Sequence, residues 1–279
     1  VGLVELASRL AEHQEDTSIS LVSVLKVPGT PSEKEIKQII EKGKIDRSTL
    51  LKTTAPIAQA RNVAISTKIK VSNNVESVIY KELQSPNPVR MVLLGWPSQE
   101  TKLKLPHNII KEVMINARKD VVVLRNRGIE TMKNILVPVS SGPSSHLCLH
   151  LAGELAYQGD INVTVLHLTP QKLDSEAMED ANLFVQEMIE EEFGEGAAWL
   201  HVKVLPSTSV SEGILEEAKQ GHYDLMIIGA GNEVFSHRYL FGPLVDYLIE
   251  SVDCSILIAR HYQPEAVMWL TDRIRRLEV

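Results

Sequence analysis

Apolar and polar positions in the second half of the chain alternate on two scales. Asn134–Val139 is a short apolar run of the kind that forms a buried strand. The polar cluster Ser140-Ser141-Gly142-Pro143-Ser144-Ser145 ends it and offers helix-capping hydroxyls. His146–Gln158 then carries Leu147, Leu151 and Leu155 at helical spacing and stops at Gly159. Strand Ile161–Leu168 is closed by Pro170, and Ser175–Phe193 reads as a long acidic amphipathic helix. Strand Leu200–Leu205, helix Ser211–Gln220, strand Asp224–Gly229, helix Gly242–Ser251 and strand Cys254–Ala259 complete a βαβαβαβαβ order. Strands too apolar to face water, alternating with helices, predict a parallel doubly wound sheet covered on both faces. Right-handed crossovers narrow it to a flavodoxin-like order or a close relative.

The first half repeats this from its second element onward. Helix Gly2–Glu15 leads to strand Ser18–Val27, and a helical stretch follows over Glu33–Ala60 with a break near Gly43. Strand Val63–Val71, helix Val75–Gln84, strand Arg90–Gly95, helix Asn108–Ala117 and strand Val121–Leu124 close the unit. Gly95 and Gly229 end the fourth strand of each copy, 134 positions apart. A first strand ahead of Gly2 is missing. That strand is central in such a sheet, so its loss exposes apolar neighbours, and it is expected upstream in a longer parent protein. The expected division is unit 1 over residues 1–130, unit 2 over 131–263, each a mainly parallel five-stranded fold, and a C-terminal amphipathic helix over 264–279. In that tail Val267, Leu270, Ile274 and Leu277 form one apolar stripe. It either docks on its own domain or meets a partner.

Composition adds a charge division. The chain has 279 residues and a formal net charge of −7. Residues 1–130 carry 20 Lys and Arg against 14 Asp and Glu, a net of +6, while 131–279 carry 9 against 22, a net of −13. Aromatics make up 5%. With the acidic balance, that argues against a nucleic-acid partner. No apolar run approaches the length of a membrane span, and no secretory leader is expected. Cys148 and Cys254 lie in apolar runs and read as buried thiols of a reducing compartment.

Ligands of this fold bind at the carboxyl ends of the strands. Two loops qualify: Ser140–Ser145, and the run from Gly229-Ala230-Gly231-Asn232 to Phe241-Gly242-Pro243. On these residues the second half resembles a universal-stress-protein domain, whose ATP-binding members carry Gly-x-x-Gly, nine residues, then Gly-Ser or Gly-Thr. Gly229 and Gly242 match the first and last glycines. Asn232 stands at the second glycine, Pro243 at the hydroxyl residue, and Ser140 at the acidic residue that holds the nucleoside. Pro243 also lacks the amide proton such a site uses. The expectation is a degenerate site without a cofactor, Gly229 and Gly242 serving as turn and packing glycines. His146 and His150 share a helix face at a spacing that can hold a metal, but a solvent-facing or locally hydrogen-bonded pair is expected and no metal site. Cys148 lacks a His-Asp partner, and no acid–base pair assembles. No enzyme is expected.

Over residues 1–127, helix Leu3–Leu10, strand Ile19–Val27, the run Met91-Val92-Leu93-Leu94-Gly95-Trp96 and strand Val121–Arg125 resemble the cytosolic C-terminal region of cation-chloride cotransporters. The resemblance implies a prokaryotic, non-enzymatic regulatory and dimerisation domain. A separate membrane domain of the same polypeptide would move sodium or potassium with chloride. It also implies a place on the cytoplasmic face of the membrane, with the basic first half near anionic lipid headgroups. A free tandem universal stress protein binding ATP, and the tail of an amino-acid permease, are the alternatives. Stress proteins often pair through their last strands. Val121–Leu124 and Cys254–Ala259 are therefore the expected edges for pairing, within the chain or in a homodimer.

Overall fold

The computed structural model describes residues 2–27, 29, 32–84, 89–96, 107–129, 132–157, 160–194, 197, 199–230 and 239–264. Seven strands form one sheet in the order β3-β4-β9-β8-β5-β6-β7, and β1 and β2 form a second, parallel pair. In chain order the elements of the first half are α1 (Gly2–Ala11), β1 (Ser18–Lys26), α2 (Glu33–Gln59), β2 (Ala64–Ser72), α3 (Val75–Leu83), β3 (Met91–Gly95), α4 (His107–Asn116) and β4 (Asp120–Arg125). The second half holds β5 (Asn134–Pro138), α5 (Pro143–Ala156), β6 (Asn162–Pro170), α6 (Ser175–Phe193), β7 (Leu200–Ser207), α7 (Val210–Gln220), β8 (Leu225–Gly229), α8 (Pro243–Ser251) and β9 (Ser255–Arg260). The C-terminal helix expected over 264–279 lies outside the described residues beyond Pro264.

The second half has the expected doubly wound order, β7-β6-β5-β8-β9, all parallel. The first half does not form its own sheet. Its β3 and β4 extend the sheet of the second half through an antiparallel pairing of β4 with β9, Val121 opposite Arg260 and Arg125 opposite Ile256. The two last strands, one from each unit, thus meet within the chain. Among the described residues β1 and β2 pair with each other and with no strand of the larger sheet.

Period-two alternation distributes the sheet between two faces. Ile135, Val137, Leu225, Ile227 and Leu257 pack with Leu6 and Leu10 of α1, Leu151 and Leu155 of α5, and Met188 of α6. Leu136, Met226, Ile228, Ile256 and Ile258 pack on the opposite face with α4, α7 and α8. Ile135, Leu136 and Val137 are all 0% exposed, as befits a central strand covered on both sides. Each such aliphatic side chain contributes about 1.5–3 kcal/mol by leaving water.

Side chains close several helix ends. Ser32 and Glu35 form a capping box ahead of α2, Asn74 accepts from the Ser77 amide before α3, and Asp174 accepts from that of Ala177 before α6. Two expectations are corrected. α2 runs unbroken through Gly43, which is buried on the packing side, where a Cβ would meet Ile69 and Leu25 at 3.5–3.6 Å. α5 starts at Pro143 rather than His146, and its N-cap is Gly142 with no side-chain bond. The Ser145 hydroxyl instead accepts from the Ser140 amide at 3.0 Å and ties the loop to the first turn. Among the described residues no helix is long and apolar enough to cross a membrane.

Candidate functional site

The expected ligand loops meet at the carboxyl ends of β5 and β8. Ser140 is exposed on the loop after β5. Gly229 ends β8 directly beneath the first turn of α5, and a Cβ there would lie 2.7 Å from Ser144 Cβ. Glycine is therefore the residue that permits this contact. The Ser144 hydroxyl lies 3.5 Å from the Ala230 carbonyl and 3.4 Å from the His261 amide, bridging the ends of β8 and β9. Gly242 has φ +107°, a left-handed turn that favours glycine. Asn232 lies outside the described residues.

The start of α8, immediately after Gly242, is unlike an anion cradle. A helix N-terminus attracts phosphate through its free amides. At α8 the first helical residue is Pro243, which has none. The Asp246 carboxylate turns back to the preceding loop and accepts from the Leu240 amide at 2.7 Å and from the Phe241 amide at 3.0 Å. A negative group of the protein itself thus sits beside the helix start. Sequence reasoning missed it, because nothing in the spacing of Asp246 says where its carboxylate turns.

The histidines part company. His146 is exposed, whereas His150 joins a polar cluster between the two units. Its Nδ1 lies 2.7 Å from Glu192 of α6, and its Nε2 lies 3.1 Å from Glu154 one turn along α5. Arg90, just ahead of β3, donates to the same Glu154 carboxylate at 2.9 Å, and Gln14 donates to it as well. Hydrogen bonding to Glu154 raises the His150 pKa, with burial opposing. For Glu154, burial favours the neutral acid, but hydrogen bonds from His150 and Arg90 outweigh it and hold the carboxyl below its ordinary range. The i,i+4 spacing of His150 and Glu154 was visible in the sequence; the arrival of Arg90 from the other unit was not. Among the described residues no group of three His, Cys, Asp or Glu side chains is arranged to hold a metal ion.

Cys148 is fully buried and its thiol is pushed up by that burial. Burial raises the Cys254 thiol to about 11. Both are held neutral, unlike a nucleophilic thiolate. A hollow of about 440 Å³ between Leu215, Tyr223, Val252 and Cys254 lies at the opposite, amino ends of β8 and β9.

Comparison with known proteins bears on these loops. Residues 131–260 match the universal stress protein family. That segment spans β5 to β9 and contains every loop of the candidate site. No curated protein matches the sequence. Solved structures of similar fold include a universal stress protein from Archaeoglobus fulgidus DSM 4304, 14% identical, covering 93% of this chain and 92% of that one with a TM-score of 0.59. They also include the cytoplasmic domain of a prokaryotic cation chloride cotransporter, 14% identical, covering 87% of this chain and 95% of that one with a TM-score of 0.54. At this identity the likeness is one of fold, and it extends over both units.

Proposed function

We propose that this chain is a non-enzymatic regulatory and dimerisation module on the cytoplasmic side of a cation-chloride cotransporter, with sodium, potassium and chloride moved by a membrane domain of the same polypeptide. The observation that carries the non-catalytic, nucleotide-free part is Asp246. Its carboxylate already takes the loop amides ahead of α8, and Pro243 removes another donor. A phosphate there would lie beside a like charge with few free amides to meet it. The cotransporter assignment is supported by the likeness, over both units, to the cytoplasmic domain of such a transporter, and by the first-half motifs that resemble that family. The basic first half lies near anionic headgroups in this reading, and the assembled form is a homodimer.

The test is to recover the reading frame around residue 1 and measure ion uptake by cells expressing it. A frame encoding about a dozen apolar spans, with chloride uptake that depends on sodium or potassium, is the expected result. A frame that begins at residue 1, or spans that carry no chloride, refutes the assignment. The likeness to the Archaeoglobus protein keeps a stand-alone tandem stress protein as the second reading. Titration with ATP separates the two: saturable micromolar binding favours the second.

A further inference from the structure

The opposite charges of the two halves are concentrated on two helices that hold equivalent places. β1 leads into α2 as β6 leads into α6. α1 packs against α2 on one side and α5 on the other, and α5 packs against α6, so one layer of helices runs in the order α2-α1-α5-α6. α2 lies over β2 at one end of that layer, and α6 lies over β6 and β7 at the other. Within one molecule α1 and α5 stand between them, so neither can neutralise the other.

The outer faces of the two helices differ in sign. On α6 Glu176, Glu179, Asp180, Glu187, Glu190 and Glu191 recur at helical spacing, all exposed, and Ser175–Phe193 holds no lysine or arginine. Like charges three and four residues apart repel along a helix, so α6 gains from a basic neighbour. On α2 the residues turned away from buried Gly43 and Thr54 are Lys34, Lys37, Lys44 and Lys52, all exposed. Glu41 lies among them and pairs with Lys44 at 2.8 Å. Each face also holds one exposed aliphatic near its middle: Ile45 of α2 is 65% exposed and Leu183 of α6 is 51% exposed. An apolar contact ringed by charged groups is the anatomy of a protein interface.

We infer that the chain forms its homodimer by laying α2 of each copy antiparallel along α6 of the other, in two identical contacts about a two-fold axis. An axis crossing the middle of the helix layer, in the plane of the contact, exchanges its two ends, so a basic end meets an acidic end twice and the assembly closes. With Ile45 beside Leu183, Lys37 comes level with Glu191 and Lys52 with Glu176, each about 10–12 Å from the centre at 1.5 Å per residue. This names the surface for the dimerisation part of the proposed function, on which it rests, and is independent of the transport part.

Analytical ultracentrifugation of the full chain and two triple variants tests it. One variant carries Lys37→Glu, Lys44→Glu and Lys52→Glu, the other Glu176→Lys, Glu187→Lys and Glu191→Lys. The parent is expected to sediment at about twice 31.1 kDa, and each variant alone to dissociate with a constant about a hundredfold weaker, because like charges then face each other at both contacts. An equimolar mixture of the two is expected to recover the dimer, since opposite signs meet again at both contacts. That recovery also shows that both variants fold. A parent dimer that neither variant weakens, or a mixture that stays monomeric, overturns this surface and leaves the dimerisation reading standing. A monomeric parent overturns both. A parent mass that keeps climbing with concentration marks an open head-to-tail chain and overturns the closed pairing. Variants that stay dimeric but no longer sediment with anionic vesicles assign the α2 face to lipid and equally overturn the inference.

Discussion

Two side-chain contacts decide how the loops at the strand ends are held. Gly229→Ala places a methyl 2.7 Å from Ser144 Cβ, and overpacking of this kind costs about 1–3 kcal/mol. Ser144→Gly in the same chain is expected to recover most of that loss, read as the urea midpoint of the double variant against the single. Asp246→Ala strips the partner from two loop amides and is expected to cost about 1–3 kcal/mol, again read by denaturation. ATP affinity is expected to stay negligible in that variant, because Pro243 still withholds its amide. The glycines were legible in the sequence because their conformational freedom is a property of the residue itself. Asp246 was not, because its role depends on a loop that folds back six residues.

At the scale of elements, the pattern located helices and strands well wherever burial was one-sided or complete. α6 was read to both of its ends, since Asp174 caps one and Gly194 closes the other. It erred where packing overrode local propensity, as at Gly43 in α2, or where a loop hydroxyl bonded backward instead of capping, as at Ser145. The sheet shared by both halves was also illegible as a sheet, because β4 and β9 are separated by about half the chain and each alone looks like an ordinary terminal strand. Val123→Pro tests how much that pairing matters. Val123 is fully buried opposite Ile258, and a proline there removes a ladder bond in a central strand and leaves a buried carbonyl without its donor, at a cost of about 1–3 kcal/mol. Limited proteolysis of the variant is expected to cut between residues 125 and 134 well before it degrades β5–β9.

The polar cluster joining Arg90, Gln14, His150, Glu154 and Glu192 also belongs to this scale, since it ties β3 to α5 and α6. His150 has a folded pKa raised above its ordinary 6.5, so its contribution is complete below that pH and is lost as pH rises through the raised value. Glu154 is held below its ordinary 4.5, so its contribution is complete above 4.5 and is lost as pH falls through the lowered value. The cluster holds best between these two limits. The urea midpoint is expected to fall between pH 6 and pH 8.5, and His150→Gln to remove that part of the dependence. A His150→Gln profile identical to that of the parent counts against the cluster as its source.

For the whole molecule, the charge division seen in the sequence becomes a contact between halves. Arg90 of the basic half lies on Glu154 of the acidic half. With Arg90 half in water and Glu154 largely buried, the pair still weakens in salt through its exposed partner, so it orients the halves while the β4–β9 ladder holds them. That ladder also uses the strand edges expected to pair, so a homodimer needs another surface. Light scattering is expected to give about twice the chain mass of 31.1 kDa, and Val123→Pro should not raise it further.

The position of β9 has a consequence for the order in which the molecule acquires its shape. Synthesis delivers this strand after every other one described, yet it lies in the interior of the seven-stranded sheet, between β4 and β8. Until residue 260 has left the ribosome, two apolar strands made earlier wait with bare flanks, β4 for far longer than β8. Contacts this distant in sequence form slowly. A nascent chain halted at residue 250 is therefore expected to bind chaperones or aggregate, where one released after residue 264 folds.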